Sequence, residues 1–216
     1  MSEADYLHWC RIWLAECQRL LSDDGSLWVL INDDYADHFG LLLRKTGLHR
    51  RAWIKWYETF GVNCTNNFNR CSRHLFYHVK NSRRFVFDPD AVGRPSDRQT
   101  KYDDKRAGPH GKLWDNVWSI PRLVENSRER LPDFPTQLPL ELVRPIVHCA
   151  SEPGDLVLDP FCGSGTTGVA AIESGRQFIG IELNPQFAKA ARQRLIVSAS
   201  QQKSSNPMKS EKRKAA

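Results

Sequence analysis

The sequence predicts an α/β fold, and three observations carry that expectation. Segments of helical period alternate with short apolar runs of strand length. The stretch from Leu156 to Leu183, LVLDPFCGSGTTGVAAIESGRQFIGIEL, reads as strand, glycine turn, helix, strand and acid. The element order is αβαββ, an irregular insert, then αβαβα, and the buried strands are expected to run parallel.

Each element has its own signal. Tyr6, Trp9, Cys10, Trp13, Cys17, Leu20 and Leu21 follow i, i+3, i+4 spacing and predict an amphipathic first helix. Asp24-Gly25 breaks it, and SLWVLI (Ser26–Ile31) reads as a short strand. A second helix is expected from about Tyr35, with Phe39, Leu42 and Leu43 on one face and Gly47 as a left-handed cap. RAWIKWY (Arg51–Tyr57) and HLFYHVK (His74–Lys80) predict strands around a polar, Asn-rich loop. From Asp88 to Pro135 regularity fades, and loops of that length are uncommon unless functional. PTQLPLELVRPIVHCA predicts a helix with Pro139 in its first turn and a kink or early stop at Pro145. After the glycine unit, NPQFAKAARQRL predicts a closing helix. The tail from Ser198, rich in Ser, Gln and Lys, is expected to be disordered, and its basic end MKSEKRKAA would add non-specific DNA affinity.

Composition narrows the function classes. The 216 residues are 40% apolar, enough to fill a core, and no apolar run has membrane-spanning length. The N-terminus has no signal-peptide pattern. Six scattered cysteines without a C-x-x-C pair suggest free thiols in a reducing compartment, so a cytoplasmic location is expected. The formal charge is +6, which favours a polyanionic partner. Between Arg44 and Arg84 there are ten Lys or Arg and one acid, Glu58, interleaved with Trp53, Trp56, Tyr57, Phe60, Phe68, Phe76 and Tyr77. That pattern suits either a nucleic-acid surface or a solvated sheet edge over an aromatic core.

Gly163, Gly165 and Gly168 spell G-x-G-x-x-G, the dinucleotide fingerprint. A helix N-terminus offers free N–H groups there, and glycines allow close backbone approach. Glu182 ends the next strand, where an acid accepts hydrogen bonds from ribose hydroxyls. Two features argue against NAD. Asp159 stands before the first glycine, where a carboxylate would repel a pyrophosphate. Phe161 and Cys162 also lengthen the turn. A ligand bearing an ammonium and a sulfonium, S-adenosylmethionine, fits both features.

DPFCGSGTTGVAAIESGRQFIGIELNP resembles the cofactor motif of the amino-methylating DNA methyltransferases, which act on N6 of adenine or N4 of cytosine. FPTQLPLELVRPIV is similar to that family's P-T-Q-x-P-x-E-L helix, with Phe134-Pro135 in place of the usual His start. YLHWCRIWLAECQRLLSDDGSLWVLIND resembles the helix and strand after the catalytic motif, and RHLFYHVK a later core strand. The resemblance covers Asp5 to about Leu195 and implies a Rossmann-like, three-layer, circularly permuted methyltransferase fold in which the cofactor half follows the catalytic half. It implies S-adenosylmethionine as cofactor and double-stranded DNA as partner, with a restriction endonuclease as a further partner. Phe161, Gly163 and Gly165 would shape the pocket around the methionine part, beside Asp159, with Thr166 and Thr167 opening the helix. Glu182 would bind the ribose, and Thr136 and Gln137 would lie near the carboxylate end.

The family's chemistry rests on a D/N/S-P-P-Y/F/W tetrapeptide, which holds the flipped base. None of the 216 residues spells it, so no catalytic residue is assigned and the fold is expected to be incomplete at its N-terminus. The expected division is residues 1–87 as the catalytic half, 88–133 as a target-recognition insert, 134–197 as the cofactor half and 198–216 as a tail. Cys64, Cys71, His74 and His78 lack the close cysteine pair of zinc sites and are expected to be core and surface residues. Asp33 and Asp34 are read as a helix cap before catalytic carboxylates.

Overall fold

The computed structural model describes residues 1–106, 111–132 and 134–205. The chain divides into two compact units, Met1–Arg122 and Leu123–Ala216.

In the N-terminal unit, helix α1 (Glu3–Leu20) starts at a capping box in which the Asp5 N–H donates to Ser2 Oγ and the Ser2 N–H to Asp5 Oδ2. Its buried face brings Cys10 and Leu14 against Val29, Phe39, Leu43 and Phe76. Strand β1 (Ser26–Ile31) leads through a 3-10 turn, Asp33–Tyr35, into α2 (Ala36–Lys45). Gly47 follows at φ +79°, as the cap reading expects.

Strands β2 (His49–Val62) and β3 (Arg70–Val79) are longer than the sequence suggests and run through most of the Asn-rich loop, leaving residues 63–69 as the connection. They form an antiparallel hairpin, β1 pairs antiparallel with β3, and β6 (Val117–Ser119) pairs parallel with β2, giving the order β1-β3-β2-β6. The expectation of parallel strands is therefore corrected in this unit. A short connection joins antiparallel neighbours, whereas a parallel pair needs a crossover of a dozen or more residues.

One face of this sheet packs on α1 and α2. On the other, Trp28 stacks on Tyr77 with ring centroids 4.2 Å apart, and buried Trp56 donates from Nε1 to the Ile120 carbonyl. The segment read as irregular thus contributes part of the core. It holds β4 (Gly93–Arg94) paired with β5 (Lys112–Leu113), and α3 (Asp97–Thr100), besides β6.

In the C-terminal unit, α4 (Leu140–Cys149) has Pro139 as its N-cap residue. Pro145 does not stop it. The ring is buried with Leu142, Val143, Val147 and Cys149, and that burial offsets the missing N–H. Strand β7 (Leu156–Asp159) and β8 (Gln177–Gly180) are parallel and joined by α5 (Thr166–Glu173). Val143 and Val147 of α4 meet Ala170 and Ala171 of α5, with Val157 and Phe178 from the strands packed against them. The opposite strand face carries Leu156, Leu158, Ile179 and the following Ile181, all exposed.

Helix α6 (Pro185–Ser205) closes the unit. It runs through Ser198, which is buried, so the tail begins later than the sequence suggests. Residues 206–216, including the basic end, lie outside the described residues. Among the described residues no helix is long and apolar enough to cross a membrane.

Candidate functional site: the glycine turn

The turn between β7 and α5 is built by carboxylates. Asp159 Oδ1 accepts the Phe161 N–H at 3.0 Å, and Oδ2 accepts the Thr167 hydroxyl at 2.6 Å. The acid that ends β7 thereby ties its own turn to the first helical residues. The Ile181 N–H donates to the Asp159 carbonyl and the Cys162 N–H to the Ile181 carbonyl, so the turn is laced to the chain leaving β8. Gly163 and Gly165 sit at φ +47° and +74°, where a side chain is strained. Gly168 has a different reason: a Cβ there would lie 2.5 Å from the Phe178 ring and 2.6 Å from Leu195.

Glu182 faces the same turn. Its Oε2 accepts the Gly163 N–H at 3.0 Å and its Oε1 the Asn184 N–H at 2.9 Å. Each carboxylate oxygen keeps a further lone pair for a ligand. The α5 N-terminus, with Gly165 as its N-cap, has no side-chain cap. Its N–H groups carry the partial positive charge of the helix end. Burial, then the charges of Asp159 and Glu182, pushes the Cys162 thiol up to about 11.

The structure therefore brings Asp159, Phe161, Gly163, Gly165, Thr166, Thr167 and Glu182 to one turn. Phe161 is half exposed beside it. The buried Thr166 hydroxyl donates to the Leu138 carbonyl, which brings the P-T-Q segment to the turn. Gln137 is occupied elsewhere: its Nε2 donates to the Glu129 carbonyl at 2.6 Å and its Oε1 accepts the Leu131 N–H at 2.8 Å. Thr136 is exposed.

Sequence reasoning missed Arg194 and Glu129. Arg194 of α6 donates to Thr166 Oγ1 at 2.9 Å and to the Ser164 carbonyl at 3.2 Å, and pairs with Glu129 at 3.6 Å. Glu129 accepts the Leu140 N–H at the start of α4. Both residues lie outside any motif, and only tertiary packing brings them to the turn.

In the N-terminal unit, Asp33 and Asp34 do not cap α2, and that expectation is corrected. Asp33 Oδ1 accepts from His74 Nε2 at 2.5 Å and lies 3.6 Å from Lys55 Nζ, while Asp34 pairs with Arg70 at 3.3 Å. Trp53 Nε1 donates to His74 Nδ1 at 2.7 Å, which fixes the proton on Nε2. Strands β2 and β3 supply these partners, and they out-compete the helix end. His78 is buried, and among the described residues no group of His, Cys, Asp or Glu is placed to hold a metal ion.

A strand, an uncapped helix end reached through left-handed glycines and a facing acid, the features read from the sequence as a nucleotide-type cofactor site, meet here on an α/β scaffold. The family model for DNA methylase (N6_N4_Mtase) matches residues 1–193, and the chain belongs to that family. It is 32% identical over 201 residues to the DNA adenine methyltransferase YhdJ of Escherichia coli (strain K12), covering 90% of this chain and 68% of the relative. It is 30% identical over 191 residues to the type II methyltransferase M.HpaI of Haemophilus parainfluenzae, covering 88% of this chain and 59% of the relative. Among solved structures, the M1.HpyAVI–SAM complex matches with TM-score 0.66 at 24% identity over 86% of this chain and 81% of that one. The cytosine-N4-specific PvuII DNA methyltransferase matches with TM-score 0.69 at 16% identity over 92% and 77%. The Rossmann-like methyltransferase fold expected from the sequence is the fold of these neighbours.

Proposed function

We propose that the glycine turn binds S-adenosylmethionine and that this chain serves methylation of an exocyclic amino group, N6 of adenine or N4 of cytosine, in double-stranded DNA. The observation that carries the reading is the pair of carboxylates, Asp159 and Glu182, around an uncapped helix end. Glu182 keeps lone pairs for a diol. The two negative charges favour a cationic ligand and disfavour a pyrophosphate. The cofactor would supply the methyl group. This chain's residues would bind and orient it: Gly163 and Gly165 leave room, Phe161 gives an apolar wall, Thr166 and Thr167 fix the helix start, Thr136 borders the carboxylate end, and Gln137, its side chain bonded to Glu129 and Leu131, would hold that border in place. Orientation of the two reactants would carry most of the rate. Residues 88–133 are proposed to contribute target recognition, and a restriction endonuclease is the proposed functional partner.

The 216 residues contain no D/N/S-P-P-Y/F/W tetrapeptide, so we propose that methyl transfer needs this element in addition to them. That same observation favours a second reading, a DNA-binding protein without its own turnover. Calorimetric titration of the full chain with S-adenosylmethionine and with NAD tests the cofactor, and tighter binding of NAD would overturn the proposal. A methyl-transfer assay on the same chain, with and without an added segment bearing the tetrapeptide, separates the two readings.

A further inference from the structure

The β2–β3 hairpin ends in a tip that carries an exposed aromatic ring. Phe68 is 92% exposed there, so its ring contributes no burial to the fold. The tip is nonetheless held in shape. The pairing of β2 with β3 shifts register between Tyr57 and Val62, and within that bulge Thr59 sits at φ +67°. Bulges of this kind re-aim a strand end. A Cβ on Gly61 would collide with the Arg70 carbonyl, so the two strands approach closely just below the tip. Within residues 63–69, the Cys64 N–H donates to Asn69 Oδ1 at 2.8 Å and the Phe68 N–H to Asn67 Oδ1 at 2.7 Å. A loop ordered by its own asparagines thus holds one aromatic ring out in water.

The surroundings say what that ring is for. Arg70 lies two residues on, and its ion pair with Asp34 at 3.3 Å is more than half exposed on both sides, a weak surface pair that a phosphate can displace. Half-exposed Phe60 carries the Arg122 guanidinium over its face at 4.4 Å. Of the ten cations between Arg44 and Arg84, Lys55, Arg70 and Arg73 lie on the tip half of the hairpin, and the other seven lie at its base and flanks, where they would attract the same duplex. A protein-docking patch would be a contiguous apolar area. This is a single ring set among Asn and Arg side chains, which matches a phosphate backbone with a base stack inside it.

We propose that the hairpin tip is a stacking wedge for double-stranded DNA, with Phe68 entering the base stack and Arg70 holding an adjacent phosphate. The proposal rests on the DNA substrate inferred above. Such a ring would fill the space that a flipped base leaves. A duplex already lacking one base would accept it at lower cost, because the unstacking is already done.

The test is fluorescence anisotropy of the full chain with a short labelled duplex, either intact or carrying one central abasic position, over a range of salt. The wild type is expected to prefer the abasic duplex about ten-fold, within the range that one aromatic–base stack provides. Phe68→Ala should abolish that preference and leave the salt slope unchanged, while Phe68→Trp should keep it. Arg70→Ala should lower the slope by about one without removing the preference. Phe68 is so exposed that its substitution should leave the thermal unfolding curve in place. A wild type that binds both duplexes equally, or a Phe68→Ala variant that still prefers the abasic one, overturns the wedge alone. Failure to bind either duplex overturns the DNA substrate with it.

Discussion

Glu182 holds the fold of the turn and is the residue proposed to serve the ligand as well. It accepts two backbone N–H groups that shape the turn and keeps lone pairs for hydroxyls. Glu182→Ala should weaken S-adenosylmethionine binding by about 1–3 kcal/mol, as for a lost charged acceptor. Gly163→Val should abolish binding, because the residue sits at φ +47° within the turn. Calorimetry of each variant against the wild type checks both, and unchanged affinity for Glu182→Ala would remove it from the site. His78 gives a pH signature independent of the ligand. Burial, then the nearby Arg50 charge, lowers its pKa from 6.5 to about 4. The unfolded chain therefore takes up a proton between those values while the folded chain does not. Stability is full above pH 6.5 and falls as the pH drops towards 4, by up to about 3 kcal/mol. Urea unfolding at pH 7 and pH 4.5 should show the loss, and His78→Gln should flatten the difference.

At the scale of elements, legibility followed local signals. The strand Ser26–Ile31, the Gly47 cap and the glycine unit all read correctly, because each carries its signal within a few residues. Strand β6 did not, since Val117–Ser119 offers three residues with no alternation to detect. Its place comes from pairing Lys55, Trp56 and Tyr57 with Val117, Trp118 and Ser119, which is a tertiary fact. The same holds for the site. Asp159, the glycines and Glu182 form one contiguous motif, whereas Arg194 and Glu129 reach the turn only through packing. Gln137 was placed near the turn, but its side-chain bonds run to Glu129 and Leu131. Gly168 illustrates a motif residue whose role is packing between α5, β8 and α6. Gly168→Val should drive its side chain into Phe178 and Leu195 and cost about 1–3 kcal/mol. Thermal melts should show that loss in the absence of cofactor, which a purely ligand-contacting glycine would not produce.

For the molecule as a whole, charge predicts behaviour towards DNA. A +6 chain with its cations concentrated between Arg44 and Arg84 should bind duplex DNA in proportion to the counterions it displaces. A plot of log affinity against log salt should fall by roughly 0.9 for each phosphate contacted, and a flat line would count against a DNA substrate. The exposed strand face of Leu156, Leu158, Ile179 and Ile181 has a consequence of another kind. Attraction between such faces strengthens on warming, because apolar hydration is entropic near room temperature. A solution that is clear in the cold should scatter light as it approaches body temperature and clear again on chilling, before any unfolding begins. Leu158→Lys combined with Ile179→Lys should suppress that cycle while leaving the far-ultraviolet circular dichroism unchanged. Handling the protein cold and dilute then becomes a direct result of four aliphatic side chains that face water.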